Sequence, residues 1–317
     1  MGNFIGPILP IIALIFLGKW CRQTQYISPS AIGEIKKFLL NICMVCTLLN
    51  IVLFMEITSE SILIIVISYI MLCLFLIAGK LCNLLPALHH KFTPYVCSGT
   101  AFMLVGMALF SMIYGNANLA IFSFIGVGHE IFIWTIYYIW FRIDTSGQKF
   151  DLSIVKNLLK SPFIITIILG TILNIFDVGY ILQSNPIGQG ILQSIDSLSS
   201  IASPFVLVCL GYGLVLDVKY IKESLKLVFA RYVVALTIGC LFKFLVIDNI
   251  ITPSPIINAS FAAFIMLPPM FTLTLFINDV ATTEEVEIIN GAIGISTIIS
   301  VILLIILSII IPYSSLV

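Results

Sequence analysis

Residues 262–279 read AAFIMLPPMFTLTLFIND. The stretch is apolar enough to lie in lipid, yet it carries Pro268 and Pro269 side by side near its middle. Each proline removes a backbone donor and clashes with the turn before it, so an α-helix kinks or breaks there. Freed backbone carbonyls in a bilayer core have no water to turn to. They are tolerated only against protein or beside a wet cavity. A span broken at its centre therefore implies surrounding spans that enclose the break.

The rest of the chain supplies them. Of 317 residues, 60% are hydrophobic and 9% charged, and the mean hydropathy is +1.18. Soluble domains are about a quarter charged. The sequence is that of an all-α polytopic membrane protein, and no polar stretch is long enough to form a soluble domain. Residues 1–18 lack the basic start and small-residue cleavage site of a signal peptide, and read as a retained first helix. Fifteen basic and fifteen acidic residues balance, which gives no basic surface for nucleic acid. Cys43 and Cys46 form a C-x-x-C inside an apolar helix, where they read as small buried hydrophobes.

Spanning helices need about twenty apolar residues. Ten candidates appear, near 4–20, 33–55, 61–80, 94–114, 118–141, 161–177, 187–215, 224–247, 255–277 and 284–312. Lysine and arginine flank the odd-numbered connections: Lys19, Arg22, Lys36 and Lys37; then Lys80 and Lys91; then Arg142, Lys149, Lys156 and Lys160; then Lys219, Lys222 and Lys226. The positive-inside rule makes those connections cytoplasmic and both termini extracytoplasmic, in a plasma (bacterial inner) membrane. The basic connection 142–160 divides the chain into residues 1–141 and 161–317, five spans each. An odd number of spans per half inverts the second half. Pro10 to Gly18 and Pro162 to Gly170 each open a half with proline and glycine eight apart around an aliphatic filling. Two inverted five-helix repeats are the plan of many secondary transporters.

The double proline lies in the ninth span, and the repeat carries it back to Gly106 in the fourth. Two broken helices crossing at mid-membrane would offer an anion their positive N-terminal ends and a cation their freed carbonyls. The expected substrate-site residues are Gly106, Pro268 and Pro269 at the breaks, with Ser111, Asn258 and Thr272 beside them.

Pro10…Gly18, Ser161-Pro162…Gly170, the run Ala202-Ser-Pro204-Phe-Val-Leu-Val-Cys-Leu-Gly211-Tyr-Gly213-Leu and the proline-broken ninth span together resemble the auxin efflux carrier family, over essentially the whole chain. The short fifth connection is like that of its bacterial malonate and malate permease branch. The resemblance implies ten helices, with discontinuous helices four and nine crossing. It implies transport of small organic anions by alternating access, with a core moving against a scaffold of helices one, two, six and seven that also forms a homodimer. Where the family carries an Asn-x-Gly-x-x-Gly-x-Pro-like pattern in helix four, this chain keeps only Gly106, with Ala101, Met103 and Ala108 at the other positions. Helix four then either breaks through Gly106 alone or carries an altered site.

Ionisable groups inside the spans point to coupling. Glu130 follows His129 near the middle of the fifth span. An acid there costs several kcal/mol (about 2.5–3.5 on insertion scales) unless paired or protonated, and so marks a functional site. H-E-x-x-H is not completed, because Ile133 stands where the second histidine would be. Asp196 sits among Ser194, Ser197, Ser199 and Ser200 on the seventh span, as a proton or cation site or as part of a structural network. Glu130, His129 and Asp196 are thus the candidates for coupling H+ or Na+. Arg231 lies close to the cytoplasmic edge, where it is expected to snorkel, its fork otherwise available to a substrate carboxylate. No P-loop, nucleophile–base pair, cofactor motif or metal set appears, so a non-enzymatic carrier without cofactor is expected. The rival readings are a non-transporting sensor or scaffold and a passive channel.

Overall fold

A computed structural model describes residues 2–55, 58–146, 162–213, 218–277 and 280–315. Glu56, most of the connection 142–160, Ser161, Leu214 and Val317 lie outside the described residues. Among the described residues every regular element is helical: α1 (Gly2–Gln23), α2 (Pro29–Phe54), α3 (Ser59–Cys82), α4 (Thr93–Ser98), α5 (residues 102–114), α6 (Asn116–Thr145), α7 (Pro162–Ile175), α8 (Val178–Gln183), α9 (Pro186–Gly213), α10 (Ile221–Ile250), α11 (Pro255–Ile265), α12 (Leu273–Ile277) and α13 (Thr283–Ile310). Six of these, α2, α3, α6, α9, α10 and α13, are long and apolar enough to cross a membrane. The chain is an all-α membrane protein.

Local chemistry fixes where these helices begin. Ser28 and Ser254 each accept from a backbone N–H of the first turn, and a proline follows each in the position that needs no donor. Thr282 and Glu285 cap the start of α13 reciprocally, and Glu284 adds charge that the positive helix end favours. Outward faces stay apolar. On α3, Ile62, Val66, Ile70, Ile77 and Leu81 are exposed while Ile64, Ile67, Met71 and Phe75 are buried, a division that suits lipid on one side and protein on the other.

The chain forms two compact units, each drawing on both sequence halves. The first comprises Met1–Ser61, Met103–Ser123 and Lys156–Leu214. Its centre is α9, against which α1 and α2 pack. The approach of α1 to α9 requires glycine twice. A Cβ on Gly18 would lie 2.0 Å from the Val208 carbonyl oxygen, and one on Gly211 would lie 1.9 Å from that of Ile15. Arg22 donates to the Tyr212 carbonyl at 3.0 Å, and the Tyr212 hydroxyl donates to that of Ile27 at 3.0 Å. The Asn174 amide of α7 donates to the carbonyls of Val52, Leu53 and Met55, which the end of α2 leaves free.

The second unit comprises Ile62–Phe102, Phe124–Val155 and Val215–Val317. Here α10 packs on α4 and α13. Polar groups pin the packing: Ser224 donates to the Ile288 carbonyl at 2.9 Å, and the Tyr232 hydroxyl donates to that of Ser296 at 2.9 Å. Tyr95 donates to Asp144 at 2.6 Å, and Lys80 pairs with the same carboxylate at 3.0 Å.

Candidate functional site

Two helical segments of the second unit stop in mid-course. After Ile265, the backbone of α11 leaves the helix through Met266–Met270 and resumes at α12. The other break falls where no proline stands. Helix α4 ends at Ser98, Gly99 turns to an extended conformation (φ −77, ψ 135), and α5 starts at Phe102. The two extended pieces meet as an antiparallel bridge between Thr100 and Pro269, and the Ala101 N–H donates to the Pro268 carbonyl at 2.9 Å.

This corrects the expectation that the fourth span breaks at Gly106. Gly106 is helical (φ −60, ψ −56) and joins the wide turn Phe102–Gly106 to Met107–Tyr114 without interruption. A break goes where the freed backbone groups find partners. Residues 99–101 have such partners in the proline strand. Glycine's permissiveness alone does not open a hydrogen-bonded helix.

The freed groups at the crossing are taken up from several elements. Ser300 of α13 donates to the Met266 carbonyl at 2.6 Å. The Thr100 N–H donates to Nε2 of His129 at 3.2 Å. Arg231 is fully buried rather than snorkelling. Its Nη1 donates to the carbonyls of Val96, Cys97 and Gly99 at 3.1, 2.8 and 3.0 Å, and its Nη2 to that of Leu267 at 3.0 Å. Its position within an apolar helix, with a polar Ser98-Gly99-Thr100 triplet in an otherwise apolar span, was the signal available in the sequence.

His129 Nε2 accepts, so a neutral ring carries its proton on Nδ1, which faces Glu130 Oε1 at 3.3 Å. The ring is held by packing against Phe102 and Phe264. Gly126 makes room for this: a Cβ there would fall 1.9 Å from the Phe102 ring. Protonating His129 would turn its acceptor nitrogen into a donor facing the Thr100 N–H. The histidine is thereby committed to the backbone, with the buried Glu130 carboxyl beside it.

The first unit holds a separate cavity of about 610 Å³, lined by parts of α2, α5 and α9 and by Asn116 and Leu119 of α6. Its lining is mixed: Met44, Ile51, Phe54, Met55, Met107 and Met112 are apolar, and polar groups stand among them. Asn50 reaches Asp196 Oδ1 at 3.5 Å, Ser199 donates to Thr47 at 3.0 Å, and Ser111 and Ser200 stand nearby. Such mixed linings suit small organic ligands. Among the described lining residues there is no lysine or arginine, and Asp196 is the one carboxylate.

The expected site residues thus divide. Pro268, Pro269, His129 and Glu130 belong to the crossing, and Ser111 and Asp196 line the cavity. Thr272 follows the proline break, half-buried, and Asn258 lies on α11 with its Oδ1 buried and without a partner. Gly106 lines neither. Thr47 and Asn50 of α2 went unnoticed in the sequence because two polar residues in the eleven-residue run Met44–Phe54 leave little trace.

In comparison with known proteins, no family model matches the chain and no curated protein matches it.

Proposed function

We propose that this protein is a secondary transporter of small organic anions, working by alternating access in a plasma membrane. The observation that carries the proposal is the pair of broken helices joined backbone to backbone at Thr100–Ala101 and Pro268–Pro269. Non-helical backbone at membrane depth is sustained only by burial in protein or beside a cavity, and discontinuous helices of this kind build transporter sites. In this reading the chain has ten spans in two inverted five-helix repeats, with spans four and nine discontinuous and both termini extracytoplasmic. The membership of the compact units supports it: the first contains the helices that the resemblance assigns to a scaffold, and the second contains both breaks. Glu130 is the proposed proton site, because His129 is committed to the Thr100 N–H.

One observation favours a second reading of the cargo. With Asp196 the one charged residue among the described lining residues, an amine-bearing or neutral solute with an apolar body meets better complementarity than a carboxylate.

Counterflow in proteoliposomes tests both. The labelled panel would hold malonate, malate, lactate, indole acetate and a primary aryl-alkyl amine, with and without imposed proton and sodium gradients. Saturable exchange of a carboxylate supports the first reading, and exchange of the amine alone supports the second. Non-saturable flux would replace the carrier with a channel. Silence from folded protein would favour a sensor.

A further inference from the structure

The carbonyl cluster at the crossing is occupied from within. Three carbonyl oxygens, those of Val96, Cys97 and Gly99, lie within 3.1 Å of one nitrogen of Arg231, and a fourth, that of Leu267, lies 3.0 Å from the other terminal nitrogen. Unwound backbone carbonyls and half-helix C-terminal ends are the donors with which membrane transporters coordinate free cations. The carbonyls of Val96 and Cys97 lie in the last turn of α4, the negative end of a helix, and those of Gly99 and Leu267 lie in the non-helical backbone that follows α4 and α11. A guanidinium supplies one positive charge, permanently ionised, with several donors in a fixed fork. The side chain is 0% exposed, so the guanidinium is shielded from bulk solvent.

We propose that Arg231 is a tethered cation: its guanidinium occupies the place at which the carbonyl ends of α4 and α11 would otherwise hold a free monovalent cation. The crossing consequently takes neither Na+ nor K+, and any coupling by this protein runs through another group. The inference concerns the joint itself and stands whether or not the chain transports.

The test uses purified full-length protein in detergent and requires no transport. Thermal unfolding is followed with a thiol-reactive dye, since Cys97 is fully buried beside Arg231. Midpoints are compared in NaCl, KCl and choline chloride at equal ionic strength, with and without millimolar methylguanidinium. Wild-type protein should show the same midpoint in all of them. Arg231→Ala should unfold earlier and recover saturably with methylguanidinium, Na+ or K+ but not choline, by roughly 5 °C near saturation. Arg231→Gln, which keeps bulk and donors but no charge, should respond in the same direction, and Arg231→Lys should be as indifferent to salt as wild type. Saturable stabilisation of wild type by Na+ or K+ over choline would overturn the proposal, and this arm needs no variant. So would a folded neutral variant that no cation stabilises. Should both neutral variants fail to fold while Arg231→Lys folds, the requirement for a charge at this position supports it.

Discussion

In the connection between α3 and α4, His90 ties the loop to Asn83 through its backbone and to Phe92 through its imidazole. The His90 N–H donates to Asn83 Oδ1 at 2.9 Å, and His90 Nδ1 accepts from the Phe92 N–H at 3.2 Å. Burial pushes the His90 pKa below its ordinary 6.5. Glu285 and Glu223 pull the other way, while His89 and Lys226 reinforce the depression. A histidine depressed in the fold leaves stability whole above its unfolded value and erodes it as pH falls through the folded one. The thermal midpoint should therefore drop from about pH 7 to about pH 5, and His90→Asn should show a shallower drop, because an amide oxygen can accept without titrating. Midpoints across that range check this. Glu130 makes a functional counterpart. Glu130→Gln should retain substrate exchange but lose the response to an imposed pH gradient, and an unchanged response would remove the residue from the coupling. Glu130 was legible in the sequence because an acid in an apolar span is conspicuous. Arg231 was equally conspicuous but misassigned: position along the chain suggested the membrane edge, and only the third dimension reveals the carbonyls it reaches.

At the scale of elements, the break in 262–279 was readable because two prolines cannot sit in a continuous helix. Its partner was not, because the 99–101 break owes nothing to local propensity. It exists because Ala101 and Thr100 find the proline strand and His129, and such partners leave no mark in their own stretch of sequence. The two breaks should then depend on each other. With Pro268→Ala and Pro269→Ala together, the backbone of 266–270 can return to an α-helix, withdrawing the Leu267 and Pro268 carbonyls from Arg231 and Ala101. Exchange should be abolished while the protein still inserts, as counterflow and membrane-fraction assays would establish; wild-type rates in that variant would separate the break from function. Ser300→Ala makes a milder probe. It leaves the Met266 carbonyl buried without its donor, and should lower stability by about 1–3 kcal/mol.

For the molecule as a whole, composition and the positions of lysine and arginine were enough to identify an all-α membrane protein. They could not say which helices share a compact unit, because apolar spans carry little information about their neighbours. Glycine was the exception. Gly18 stood out in the sequence as the end of a proline–glycine stretch that recurs at Gly170, and Gly211 as part of the run that carries the family resemblance, and both mark where α1 and α9 touch backbone to backbone. Gly211→Val should force those helices apart and lower the thermal midpoint, whereas Gly190→Ala, with open space around its position, should leave it unchanged or slightly raised. A scan of detergent-solubilised variants checks both.

The crossing also constrains how the protein is made. Arg231 follows Val96 by 135 residues, so α4 leaves the ribosome well before the side chain that satisfies its end. At cellular synthesis rates of about 5–20 residues per second, that interval is roughly ten seconds. Throughout it, the carbonyls of residues 96–99 must stay wet or shielded by the insertion machinery, since lipid offers them nothing. The first half of the chain is consequently an obligate intermediate rather than an independent product. Residues 1–146 expressed alone should be degraded, and co-expression with residues 147–317 should rescue them, which pulse-chase labelling of the two fragments would record.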